Sequence, residues 1–203
     1  QLAALAVGNL RYKQDKLRTA LVGQFTDHHG YLLTVLLTMV DTLTAEIDRL
    51  TTRIEQHLAD TDPPTAPPAT GRPGLLDLVD RIDEIPGVGP RAAQIILAEI
   101  GPDMTVFPTA GHLASWAKLS PRTLQSGQVT ATGRTGKGNP WLRAALGEAA
   151  ASAARTDTFL GTRYKRLVKR RGHQRALVAV ARSILVIIWH LANDPTARYR
   201  DLG

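Results

Sequence analysis

From Leu36 onward the apolar residues fall at Leu36, Val40, Leu43, Ile47, Leu50 and Ile54, in alternating steps of four and three. That spacing is a heptad seam, which only a helix can present on one face. It predicts a long helix from about His29 to His57, with Asp41, Glu46, Asp48, Arg49, Arg53 and Glu55 off the seam. Such a stripe must be covered by another helix or by a second copy of itself. Leu10 to Phe25 is also helix-like, and Asp27-His28-His29-Gly30 reads as a turn between the two. A helical hairpin and an intermolecular coiled coil both fit, and the second makes the chain a homo-oligomer.

The helical pattern stops at Asp60 to Gly74, where five prolines stand among Thr, Ala, Asp and Gly. Proline removes a backbone donor and clashes with the preceding helical turn, so this stretch reads as a linker or loop. The expected organisation is therefore an arm at 1–59, a Pro-rich linker at 60–74 and a helical domain at 75–203. Within the domain, helical patterns run over Leu75 to Ile82, Ala92 to Ile100, Ala110 to Leu119, Trp141 to Ala154, Thr158 to Arg170 and Gln174 to Asn193. No run alternates convincingly as a strand. The fold class expected is all-α.

Charge is segregated along the chain. Residues 1–60 carry 6 Lys/Arg against 7 Asp/Glu and residues 61–110 carry 3 against 7, whereas residues 111–180 carry 13 against 2, a net of +11. Clustered cations repel one another unless an anion lies among them, and a phosphate backbone is the commonest large anion a protein meets. A surface serving only solubility would intersperse both signs. There is no cysteine, which excludes a disulfide framework and thiolate zinc sites and fits a cytoplasmic location. The longest apolar run, Ala176 to Ala192, is interrupted by Arg182, Ser183 and His190 and reads as a core helix rather than a membrane span. The chain opens Gln1-Leu2-Ala3, which suggests a fragment of a longer protein.

Three segments could carry function. Ile85-Pro86-Gly87-Val88-Gly89-Pro90-Arg91 joins two helical patterns and resembles a helix-hairpin-helix, in which Gly87 and Gly89 allow a tight turn and the free N–H groups at the next helix start suit a phosphate oxygen. The upstream acids Asp80, Asp83 and Glu84 argue against close phosphate contact, and a packing turn is the plainer alternative. The second segment, Ser126 to Pro140, is rich in glycine and carries Arg134, Lys137 and Asn139, with Arg143 just beyond. A loop that closes around an anionic strand needs both mobility and cations. The third, Arg163 to His173, contains Tyr164, Arg166, Lys169, Arg170 and Arg171, so one helical side can pack while the others face DNA.

Other patterns carry less. Ser115-Trp116-Ala117-Lys118 matches a Ser-x-x-Lys but lacks its companion motifs, and Gly136-Lys137 lacks the Ser/Thr and the spaced glycine of a P-loop. The six histidines form no pair at metal-ligand spacing, so no metal site built from this chain is expected.

The order of the pieces is more specific than any of them. A coiled-coil segment, Ile85-Pro86-Gly87-Val88-Gly89, Phe107-Pro108-Thr109, Leu113-Ala114-Ser115-Trp116-Ala117, Ser126-Gly127, Lys137-Gly138-Asn139, Leu142-Arg143, Leu146, Ala149-Ala150 and Tyr164 to Gly172 together resemble the insertion-sequence transposases of the one-hundred-ten and one-hundred-sixteen type. The resemblance runs from about Leu10 to Leu191. It implies an N-terminal RuvC-like domain whose Asp/Glu residues hold Mg²⁺, a coiled coil, and a C-terminal domain whose serine attacks a DNA phosphate to form a phosphoserine link under a structured guide RNA. Carried onto this chain, that serine is Ser126. Residues 1–60 supply no acidic constellation, and the proline-rich stretch is longer than the family usually shows. The chain alone is thus expected to bind DNA without turnover, with no cofactor of its own and Mg²⁺ in the missing domain. Two other readings stand beside this one: a non-catalytic helix-hairpin-helix module that binds DNA and dimerises, and a domain whose basic face meets an acidic protein.

Overall fold

The computed structural model describes residues 2–21, 25–61, 74–120, 123–126, 129–132 and 136–201. The chain divides into two compact units, 1–54 and 55–203. In the first, 3-10 turns at Leu2–Leu5 and Gly8–Lys13 lead into helix α1 (Gln14–Leu21), and helix α2 (Asp27–Thr61) begins. Asp27-His28-His29-Gly30, expected as a turn, is the opening turn of α2. Thr26 accounts for the difference. Its carbonyl accepts from the Gly30 N–H at 3.1 Å, and its hydroxyl lies 2.8 Å from His29 Nδ1, which starts the helix before the apolar pattern begins. Asp27 then sits in the first turn, where the helix dipole favours a carboxylate.

No residue of α2 is buried. Leu36, Leu43 and Leu50 are 56%, 56% and 63% exposed, so the heptad seam lies bare along the single chain. Thr34, Thr38, Thr42 and Thr44 each donate to the carbonyl four residues back, which satisfies their hydroxyls within the helix.

The second unit holds helices α3 (Leu75–Asp83), α4 (Pro90–Ile100), α5 (Ala110–Trp116), α6 (Pro140–Ala153), α7 (Phe159–Arg171) and α8 (His173–Asn193). The helical class stands as expected, with one addition. Thr123–Ser126 (β1) and Val129–Thr132 (β2) pair as an antiparallel ribbon inserted between α5 and α6, in the register Thr123↔Thr132 to Ser126↔Val129. The threonines and Val129 favour extended backbone, but a run of four residues per strand is too short to show alternation in the sequence. The Pro-rich linker falls almost entirely outside the described residues.

α8 is the central helix, packed against α3, α5, α6 and α7, and its Val180, Ile184, Leu185 and Ile188 are fully buried. α2 and α8 are both long and apolar enough to cross a bilayer by length and composition. α8 is the core helix that its sequence predicts. α6 presents Ala145, Ala149, Ala150 and Ala153 on its buried side, small residues that let the α3–α4 turn approach its backbone. Asn139 caps α6 by accepting from the Trp141 and Leu142 N–H groups at 2.9 and 3.2 Å, and Thr109 caps α5 in the same way through His112 N–H.

Among the described residues, one charged side chain is fully buried. Arg81 of α3 donates from Nη1 to the carbonyls of Leu191, Asp194 and Ala197 at 2.9, 3.0 and 3.2 Å, and its Nε lies 2.9 Å from Asp77. It thereby satisfies acceptors left open at the end of α8, where a cation also complements the helix dipole. Arg198 bridges Asp77 and Glu84, and Asp201 accepts from the Phe159 N–H at 2.9 Å, so the segment after α8 is strapped along α3 and to the start of α7. Burial and the hydrogen bond to Asp201 push the Tyr199 phenol well above its usual range.

Candidate nucleic-acid interface

The turn between α3 and α4 gives its two glycines different tasks. Gly87 has φ +88°, and a Cβ built on it would lie 2.5 Å from the Ala149 carbonyl oxygen and 2.5 Å from the Ala153 nitrogen of α6. This glycine is a packing residue, pressed onto α6. Gly89 has φ −94° and would meet nothing within 4 Å, so it is the open N-terminal boundary of α4, followed by Pro90 and the exposed Arg91. A groove of about 580 Å³ runs from this helix start to α6, lined by Gly89, Arg91, Trp141, Glu148 and Ser152 among others. Trp141, absent from the sequence candidates, is 71% exposed there. Its large aromatic surface at a helix start was a usable signal.

The segment expected to be one long glycine-rich loop is divided. Ser126 ends β1, paired with Val129, so in the backbone it stands at the far end of the ribbon from the Thr123↔Thr132 pair. Arg134 lies outside the described residues. Lys137 is exposed, without an ion-pair partner among the described residues. Asn139, read as a nucleic-acid contact, has its side chain occupied: its oxygen caps α6 and its Nδ2 donates to Glu99 at 2.5 Å. Arg143, one turn into α6, is exposed.

α7 supplies the densest cations. Arg166, Lys169, Arg170 and Arg171 are all exposed, and the last three occupy its final turn, where the helix dipole favours positive charge. Lys165 is instead paired with Asp157 at 2.6 Å, and that hydrogen bond holds the Asp157 carboxyl below its usual range. Tyr164 is half-buried, its hydroxyl 2.7 Å from His173 Nδ1 across the α7–α8 junction. The ring is thereby tied to the fold. No group of three His, Cys, Asp or Glu side chains that could hold a metal occurs among the described residues.

Residues 79–166 match the model of the family described as Transposase IS116/IS110/IS902. The chain is 35% identical over 117 residues to the insertion element IS110 uncharacterized 43.6 kDa protein of Streptomyces coelicolor, an alignment covering 57% of this chain. The aligned part spans 29% of that relative's length.

Proposed function

We propose that this chain is the part of a DNA transposase that grips DNA and supplies a serine nucleophile for strand cleavage and transfer, in the cytoplasm. The observation that carries this reading is the company Ser126 keeps. It ends β1 of the ribbon that precedes the segment bearing Lys137, Asn139 and Arg143, in the same unit as α7 cations that have no ion-pair partner among the described residues. A serine hydroxyl attacking a phosphodiester forms an O–P bond as one strand oxygen leaves, and the phosphate oxygens repel that attack unless cations hold them. Arg134, Lys137 and Arg143 are the residues proposed to hold the attacked phosphate and its neighbours along the strand, with Arg166, Lys169, Arg170 and Arg171 holding the flanking backbone and Gly89 and Arg91 offering a further phosphate contact. Each phosphate contact adds to affinity without reading sequence. Mg²⁺ and a guide RNA belong to the whole transposase in this reading, and α2 joins copies of the chain.

The test is Ser126→Ala in a transposase that includes the metal-binding domain and guide. DNA binding should change little, because one hydroxyl adds little to an affinity set by many phosphates, while strand exchange and protein-linked DNA disappear. Ser115→Ala and Ser120→Ala should leave both intact. A covalent adduct that persists without Ser126, or that maps to another residue, overturns the assignment and leaves the non-catalytic module as the better reading.

A further inference from the structure

We infer that Lys118 is a phosphate-holding residue at the neck of the Ser126 ribbon, an inference that rests on the DNA-binding reading above. Helix α5 closes with the Leu119 N–H bonded to the Ala114 carbonyl at 3.0 Å and the Lys118 N–H bonded to the Ser115 carbonyl at 3.0 Å. This paired closure places one residue in the left-handed region, a position where glycine is usual because it has no Cβ to crowd the carbonyl. Here the residue is Lys118, with φ +57°, the only non-glycine residue at positive φ among those described. A lysine is thus held where its backbone is strained, although the fold alone would be served better by glycine.

The surroundings are cleared for its side chain. A Cβ built on Gly136 would lie 3.1 Å from both Cγ and Cδ of Lys118, and one on Gly138 would lie 3.3 Å from Lys118 Cβ and 2.8 Å from the Ala117 carbonyl oxygen. Gly138 also takes positive φ, at +56°. The glycines on both sides of Lys137 therefore let the chain pass directly against the Lys118 stem. Lys118 precedes the ribbon and Gly136 follows it, so their contact is the point where the excursion carrying Ser126 leaves the domain and returns.

Lys118 is exposed and has no ion-pair partner among the described residues, and the Glu99 carboxylate accepts from Asn139. Lys118 and Lys137 are thereby brought to one place from positions 19 residues apart in sequence. From the base pair Thr123↔Thr132 to Ser126 the strand covers roughly 10 Å at about 3.4 Å per residue. Lys118 accordingly holds a phosphate at least one nucleotide away from the one that Ser126 would attack. It positions the strand and does not touch the reacting atoms.

The experiment measures duplex-DNA affinity of the full chain against salt for wild type, Lys118→Gly, Lys118→Met and Lys118→Arg, with melting temperatures. Lys118→Gly should melt at or above the wild-type temperature yet lower the slope of log affinity against log salt by roughly 0.9, so that affinity falls about threefold less between 50 and 200 mM salt. Lys118→Met keeps the stem on Gly136 and should lose the same slope. Lys118→Arg should retain it. A Lys118→Met slope equal to wild type overturns this inference alone, whereas a wild-type chain that binds no DNA overturns the functional reading with it.

Discussion

Replacing Gly87 with alanine separates packing from ligand contact in the α3–α4 turn. Its φ of +88° lies in a region that costs a residue with a Cβ about 1–2 kcal/mol. The new methyl would also stand 2.5 Å from two backbone atoms of α6, and forcing a close-packed interface apart costs about 1–3 kcal/mol. Together these give about 2–5 kcal/mol, and at about 2–4 °C per kcal/mol for a chain of this size the melting temperature should fall by about 4–20 °C. Gly89→Ala is the internal comparison. With φ −94° and open space around it, that change should stay within about 1 kcal/mol, the lost unfolded-chain freedom of glycine offsetting a poorer helix cap. Thermal unfolding followed by circular dichroism reads both. If Gly87→Ala melts within about 2 °C of Gly89→Ala, the turn is not pressed onto α6 and the argument fails.

Two further outcomes follow from the structure. Leu43→Asp with Leu50→Asp should lower the mass measured by light scattering, because the seam they occupy is bare in the single chain; an unchanged mass would remove α2 as the self-association element. Arg81→Met should lower stability in urea unfolding by about 3–5 kcal/mol, because Asp77 and three carbonyls lose a buried cationic partner; a loss below about 1 kcal/mol would mean that water replaces it.

Most of the helical architecture was legible because it is local. The expected helix at Leu75 to Ile82 is observed as Leu75–Asp83, and that at Gln174 to Asn193 as His173–Asn193, since apolar spacing is a local signal in both. Helix α5 stops at Trp116 rather than Leu119 because Lys118 takes the left-handed conformation, which no pattern of side chains announces. The ribbon escaped for a related reason: four-residue strands hold too few alternations to stand out from a loop. In the candidate interface, the cations of α7 were visible as a run. The paired state of Lys165, the capping role of Asn139 and the seating of Lys118 on Gly136 depend on partners distant in sequence, and composition does not reveal them.

The Arg81 clamp also sets an order of events. Its acceptors lie 110 to 116 residues further along the chain, and the Arg198–Asp77 bridge spans 121. At about 5–20 residues per second, synthesis of that interval takes roughly 6–23 s. Throughout it, a nascent α3 carries a guanidinium with no carbonyls to receive it and an apolar face, Leu78 and Ile82, with no α8 to cover it. The tie between α3 and the end of α8 is thus among the last parts of the domain to settle.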